Sequence, residues 1–364
     1  MYLFYLLVLL IPMLALRKRK EGDENILDAK STTCIKGVLC LYVLLHNLGL
    51  DLRTLTPLKE SICDNTGGIG VGLFFFLSAF GIIRSYQVKG NGYFKKLLFV
   101  HIPRLYLISV GVNLLTYVVF FKGQLETADM LLKIFNLDVF NNFKPMNRHG
   151  WYVTTINGMY LIFMLVYFLC SKLKTEKKFI IAACIMSFLA IGFRVGTSIV
   201  GRGGLYTREM PTFAIGCMYA TFYDKVNEWA KKYFLVGMII AVACIPVGLL
   251  VWEPLGSYMS AVIIILMSQK FTYYSPITHF LGKICIGVYL FLHFSTLAFG
   301  LGTPYMDMYN DYWWVLLNAG FILELSLLLY VVERGITRAI GWGTDRARLL
   351  LNRRKQPAQN VEIE

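Results

Sequence analysis

The chain has 364 residues, 57% hydrophobic and 15% aromatic, and only 16% are charged, against about a quarter in soluble domains. A net charge of +14 would suit nucleic acid, but no nucleic-acid module is present, and clustered Lys and Arg beside apolar blocks mark the cytoplasmic loops of membrane proteins. The eight cysteines stand singly, with no CxxC pair, which argues against a disulfide framework and against a zinc site; no metal is expected.

The apolar residues fall into blocks of about 16 to 22, the length of a helix that crosses a bilayer. The first, Met1–Leu16, is followed by Arg17-Lys18-Arg19-Lys20. That order is the reverse of a signal peptide, so the segment reads as a retained anchor with its N-terminus outside. Further spans are expected near Cys34–Leu50, Gly68–Arg84, Val100–Phe121, Trp151–Cys170, Phe179–Gly196 and Glu209–Tyr223. The last four are expected near Tyr233–Trp252, Gly256–Gln269, Phe280–Leu301 and Tyr312–Val332. The predicted fold is all-α, a polytopic integral membrane bundle of ten or eleven transmembrane helices. Alternating the spans from an external N-terminus puts 26 of the 36 Lys and Arg residues on the inner side, as the positive-inside rule requires. The expected division is an N-terminal anchor and basic cytoplasmic loop (1–33), a transmembrane domain (34–333) and a basic cytoplasmic tail (334–364).

Ionisable groups within spans are costly and are therefore functional candidates. His46 lies deep in the second span, in Leu44-Leu45-His46-Asn47, where an imidazole could accept and return a proton near neutral pH. A packing histidine bonded to a carbonyl fits the same position. Lys36, ten residues earlier, lies about 15 Å away at the cytoplasmic end. The third span opens Gly67-Gly68-Ile69-Gly70-Val71-Gly72 and continues to Ser78. It fails the GxGxxG spacing and follows no strand, so close helix approach is the first reading. Arg84 follows at the inner end, and His101-Ile102-Pro103-Arg104 places an arginine fork suited to phosphate at the same rim. Arg148-His149-Gly150-Trp151-Tyr152 and Arg208-Glu209-Met210-Pro211 mark outer boundaries, where an interfacial aromatic belt and a local ion pair are the plain accounts. His293 is a second buried histidine candidate.

These pieces stand in the order Lys-Gly…His, then Gly-x-Gly-Val-x-Leu-Phe-Phe-x-Leu-Ser, then a basic Arg-x-Tyr. With Trp151-Tyr152 and Tyr160, the Arg208–Gly216 stretch and Leu281–Leu290, they resemble the membrane acyltransferase family 3 from about Lys36 to Val332. The resemblance implies transfer of an acyl group, commonly acetyl, from cytosolic acyl-CoA as co-substrate to a hydroxyl of an envelope carbohydrate or lipid-linked sugar, at the cell membrane. It implies that His46 activates the acceptor, that Lys36, Arg84 and Arg104 hold coenzyme A, and that Ser78, His149, Trp151, Tyr160, Arg208 and Glu209 line the acceptor path. The chain departs from the family pattern. Lys36 stands where arginine is usual, and the histidine usually falls one residue later, at Asn47. Thr155 and Ile156 occupy a region that is often acidic, and Gly72 and Ala79 replace an aspartate and a glycine. The alternative is a transporter or flippase for an envelope glycan precursor without acyl chemistry.

Overall fold

A computed structural model describes residues 16–19, 26–50, 57–137, 146–147, 149–199, 208–250, 253–299, 313, 316–335 and 338. The expected anchor segment up to residue 15, Arg148 and the tail from 339 lie outside the described residues.

Twelve helices run through these residues: α1 (Ala29–Leu50), α2 (Pro57–Lys89), α3 (Gly92–Phe121), α4 (Thr127–Ile134), α5 (Gly150–Ser171) and α6 (Lys178–Ile199). They continue as α7 (Pro211–Thr221), α8 (Tyr223–Lys232), α9 (Phe234–Leu250), α10 (Glu253–Lys270), α11 (Pro276–Ala298) and α12 (Leu316–Gly335). Seven are long and apolar enough to cross a membrane, and α8 with α9 would make an eighth if that pair, bent by 91°, counts as one broken span. The chain is an all-α, multi-pass membrane bundle. Its outer helices show why: α6 carries Phe188 and Ile199 at 75% and 80% exposure, apolar surface that only lipid would cover. The segment expected to span at Glu209–Tyr223 is instead the 11-residue α7, about 17 Å long and short of the hydrocarbon thickness.

Local chemistry explains several of these boundaries. Helix α2 ends where Gly90 takes φ +56° and its amide bonds back to the Tyr86 carbonyl, a left-handed cap that glycine adopts without penalty. Within α3 a π-helical segment, Leu97–His101, runs directly into Ile102-Pro103. Proline offers no amide to the preceding turn, and the wider π winding accommodates that gap. Pro276 opens α11 at the first helical turn, after the extended Ser275.

Helix α2 is the most enclosed span, packed against α1, α7 and α10, and α1 lies in turn on α11. The α1–α11 contact is backbone to backbone. A Cβ on Gly37 would collide with the Thr278 carbonyl, and one on Gly282 with the Thr33 carbonyl. Small residues allow this approach, and dispersion then holds the pair.

At the basic end of the bundle a short antiparallel pair joins β1 (Leu16–Lys18) to β2 (Phe271–Tyr273), extended by the Arg19 amide on the Lys270 carbonyl. Tyr223 exchanges hydrogen bonds with the Ile26 backbone nearby, at 2.6 and 2.9 Å. The segment around Arg19 and Ile26 thus meets the segments around Tyr223 and Lys270.

Candidate active site

One stripe of α2 organises the interior. Gly67, Phe74, Ser78 and Ser85 are spaced 7, 4 and 7 residues apart, so at about 100° per residue they fall within about 20° of one line, over about 27 Å. Each meets a group from another helix, except that Ser85 and its partner Tyr93 lie on successive elements.

At one end stands His46 of α1. A Cβ added to Gly67 would collide with the imidazole ring, whose Nδ1 lies 2.7 Å from that point. The ring is therefore laid on the α2 backbone rather than turned to lipid, and only a glycine leaves room for it. Leu39, Tyr42 and Val43 of α1 face Gly70 one turn along. Asn47 is turned about 100° away from His46, and its amide is engaged within its own helix, donating to the Val43 carbonyl at 2.8 Å.

In the middle, the Ser78 hydroxyl faces both the Tyr152 and the Tyr160 side chains of α5. Aromatic rings fix Tyr152: its centroid lies 6.2 Å from Phe74, 5.2 Å from Phe75 and 5.5 Å from Tyr289 of α11. Trp151 packs on Phe75 at 6.3 Å. His149 sits against Tyr289 at 5.1 Å. Its backbone amide donates to the Asn147 side-chain oxygen, while the Asn147 amide donates to the Leu290 carbonyl, both at 2.9 Å. The start of α5 is thereby tied to α11.

At the other end the Tyr93 side chain faces Ser85 and lies within electrostatic reach of Tyr160. Its ring is 6.2 Å from His101 and 5.9 Å from the Lys89 ammonium. Lys36, Lys89, Lys96 and Arg104 all act electrostatically on the His101 ring, and Lys36 and Arg104 also on Cys285 of α11. Cys285 lies in turn within reach of Cys40 and of Tyr152. Four cations from α1, α2 and α3 therefore converge beside the hydroxyl row. Arg104 also pairs with Glu333 of α12, a carboxylate buried to 6% exposure.

The structure separates some residues that the sequence grouped. Arg84 is not with Lys36 and Arg104: its guanidinium lies 4.2 Å over the Tyr223 ring and donates to Gln87 at 3.0 Å, with Arg19 on the same tyrosine group. Arg208 and Glu209 pair at 3.0 Å on the far side of α2 from Ser78. There Glu209 Oε2 approaches Gly72 and acts on Tyr258. Gly72 is about 140° around α2 from Gly67. Ser78, His149, Trp151 and Tyr160 do belong together. Tyr152, Tyr93, Ser85 and Glu333 were missed as partners, because a hydroxyl or carboxylate in an apolar run carries no mark of the helix it faces. Among the described residues no group of three His, Cys, Asp or Glu side chains could hold a metal ion.

A sequence model of the family described as "Acyltransferase domain" matches residues 30–331. The chain belongs to acyltransferase family 3. No curated protein and no solved structure matches it. As a family 3 acyltransferase it is a multi-pass membrane enzyme that transfers acyl groups, and the matched span runs from the start of α1 into α12, so every group on the α2 stripe lies within it.

Proposed function

We propose that this acyltransferase moves an acyl group, acetyl in the first instance, from cytosolic acyl-CoA to a hydroxyl of an envelope carbohydrate or lipid-linked sugar. The reading rests on one observation: a single helix face carries an imidazole at one end, a row of hydroxyls in its middle, and leads to a cluster of four cations at the other. The cationic end faces the cytoplasm under the positive-inside rule, with the N-terminus outside and the C-terminus inside in the plasma membrane.

In this account Lys36 and Arg104, with Lys89 and Lys96, hold the phosphates of coenzyme A by charge-assisted hydrogen bonds. Glu333 keeps the Arg104 guanidinium at this rim. Arg84 stands too far round α2 to share that task and serves the Tyr223 cluster. The pantetheine arm runs beside Tyr93, Tyr160 and Ser78 and carries the thioester on towards His46, at the far end of the stripe. His46 takes the proton from the acceptor hydroxyl, the hydroxyl oxygen bonds to the acyl carbon, and the thiolate leaves and is protonated as the free thiol. The hydroxyls of Tyr152, Tyr160 and Ser78 line the path of the donor arm, and the apolar bundle keeps out water that would hydrolyse the thioester. Arg208 and Glu209, across α2, would meet the acceptor only away from the reacting centre.

The test uses the purified protein in lipid nanodiscs with radiolabelled acetyl-CoA and envelope glycan extract. Label transferred to glycan, and released by mild base as an ester, is the expected result. Flux of unmodified glycan into sealed vesicles without any donor, and no labelled ester, would establish the transporter instead.

A further inference from the structure

Helix α8 stands at 91° to α9, the apolar helix that follows it. Since α9 packs along α10 in the bundle, α8 lies across the bundle end, in the plane of a membrane surface. Its inner face is fixed. Tyr223, Asn227 and Ala230 are buried, and Asn227 accepts hydrogen bonds from Tyr219 at 3.0 Å and from Gln269 of α10 at 2.8 Å. On the opposite face Lys225, Trp229 and Lys232 fall within about 60° of one another over about 10 Å of helix, and all three are exposed. Trp229 is about 140° round the helix from Asp224 and about 100° from Glu228, so the carboxylates lie on the other flank.

Segments far apart in the chain add charge at this place. The strand pair sets Arg17 opposite Thr272 and Lys18 opposite Phe271, and the Arg19 amide bonds the Lys270 carbonyl. The Lys270 ammonium lies 4.0 Å from the ring centroid of Phe234, the first residue of α9. Arg17, Lys18 and Lys270, with Lys225, Lys231 and Lys232 of α8, are six exposed cations against two carboxylates on these segments. The patch borders apolar surface, because Tyr233, Leu235, Val236 and Ile239 are exposed where α9 begins.

Charge and apolar surface side by side decide what binds here. A nucleic acid or an acidic protein would neutralise the lysines and leave Trp229, Leu235 and Val236 in water. A leaflet with anionic headgroups satisfies both: acyl chains cover α9, the Trp229 and Tyr233 rings sit at the headgroup level, and phosphates meet the ammonium groups. We propose that α8, with the strand pair beside it, is a docking surface for anionic phospholipid headgroups. The proposal stands independently of the acyl-transfer reading. Because Tyr223 and Asn227 already hold α8 in place, the surface is preformed.

The experiment places the full-length protein in nanodiscs of equal parts phosphatidylcholine and phosphatidylglycerol. After extraction in mild detergent, native mass spectrometry gives the ratio of the two lipids retained. The wild type should prefer phosphatidylglycerol. Lys225→Gln/Lys232→Gln/Lys270→Gln should lower that preference at least about tenfold, since each basic side chain at an anionic surface contributes about fivefold. Lys225→Arg/Lys232→Arg/Lys270→Arg should keep it, as should Lys172→Gln/Lys174→Gln/Lys177→Gln, which removes the same charge between α5 and α6. Salt at about 0.5 M needs no variant and should weaken the wild-type preference by screening. The surface is overturned if the glutamine triple at α8 keeps the preference, if the variant between α5 and α6 loses it equally, or if salt leaves it unchanged. Full competition by soluble glycerol phosphate overturns it too, and would mark a site for free phosphate.

Discussion

The two faces of α2 differ in what they ask of the same kinds of residue. On one, Phe76 and Phe80 stack on Tyr219 at 6.0 and 5.2 Å, Thr212 of α7 donates to the Gly72 carbonyl at 2.6 Å, and Gly216 presses on the Phe76 backbone. This face is close-packed. On the other, Gly67 admits an imidazole, and Ser78 and Ser85 face tyrosines from α5 and α3. Glycine on the first face brings backbones together for stability. Glycine on the second makes room for a chemical group. A small residue in a membrane helix therefore has no single meaning, and what lies opposite decides it.

That contrast is open to direct attack. The largest effect is expected from Gly67→Ala: the new Cβ would collide with the His46 ring, a side chain that can shift without moving the backbone, so the protein folds and transfer falls about 10²-fold or more, the scale of a lost general base. Turnover and melting temperature measured on one preparation would show this as activity lost without stability. Gly216→Ala should do the reverse. Its Cβ meets the Phe76 carbonyl, which moves only with the backbone, so thermal stability falls by about 1–3 kcal/mol, as overpacking does, and the turnover of the surviving folded fraction is close to wild type.

A third variant sharpens the division between the two cationic groups. Arg104→Ala should raise the KM for acyl-CoA about tenfold, the scale of one lost charge-assisted contact, whereas Arg84→Ala should leave that KM near wild type and act on stability through the Tyr223 ring. Steady-state kinetics over a range of acyl-CoA concentration separates the two. The smallest effect is expected from Tyr152→Phe. The ring stays clamped by Phe74, Phe75 and Tyr289, only its hydroxyl is lost, and kcat falls about three- to tenfold.

Much of this arrangement was legible in the sequence for a physical reason: hydrocarbon thickness imposes length and hydropathy on a span, and both can be read along one dimension. The spans around Gly68–Arg84, Trp151–Cys170 and Phe280–Leu301 lie close to α2, α5 and α11. The glycine run of the third span was also readable as close approach. Which helix each glycine approaches was not, since that depends on packing across distant segments. The same holds for Arg104, whose partner Glu333 is 229 positions away, and for Arg208 and Glu209, whose helix packs on the face of α2 opposite Ser78. The Glu209–Tyr223 stretch was expected to cross the bilayer, but apolar character continues only through α7. Polar Tyr223–Lys232 then forms α8, with Trp229 exposed at 69% and Lys231 and Lys232 in its last turn, the pattern of a helix lying in an interface. The strand pair between Leu16–Lys18 and Phe271–Tyr273 is too short to leave a period in either segment.

The central claim is that the imidazole resting on Gly67 is the base of the reaction. It is tested most directly by single-turnover acyl transfer from radiolabelled acetyl-CoA in nanodiscs, comparing His46→Ala with Asn47→Ala. The account predicts that His46→Ala still binds acetyl-CoA but transfers label at least about 10²-fold more slowly, while Asn47→Ala stays within a few-fold of wild type. Undiminished transfer by His46→Ala, or a loss confined to Asn47→Ala, would contradict it.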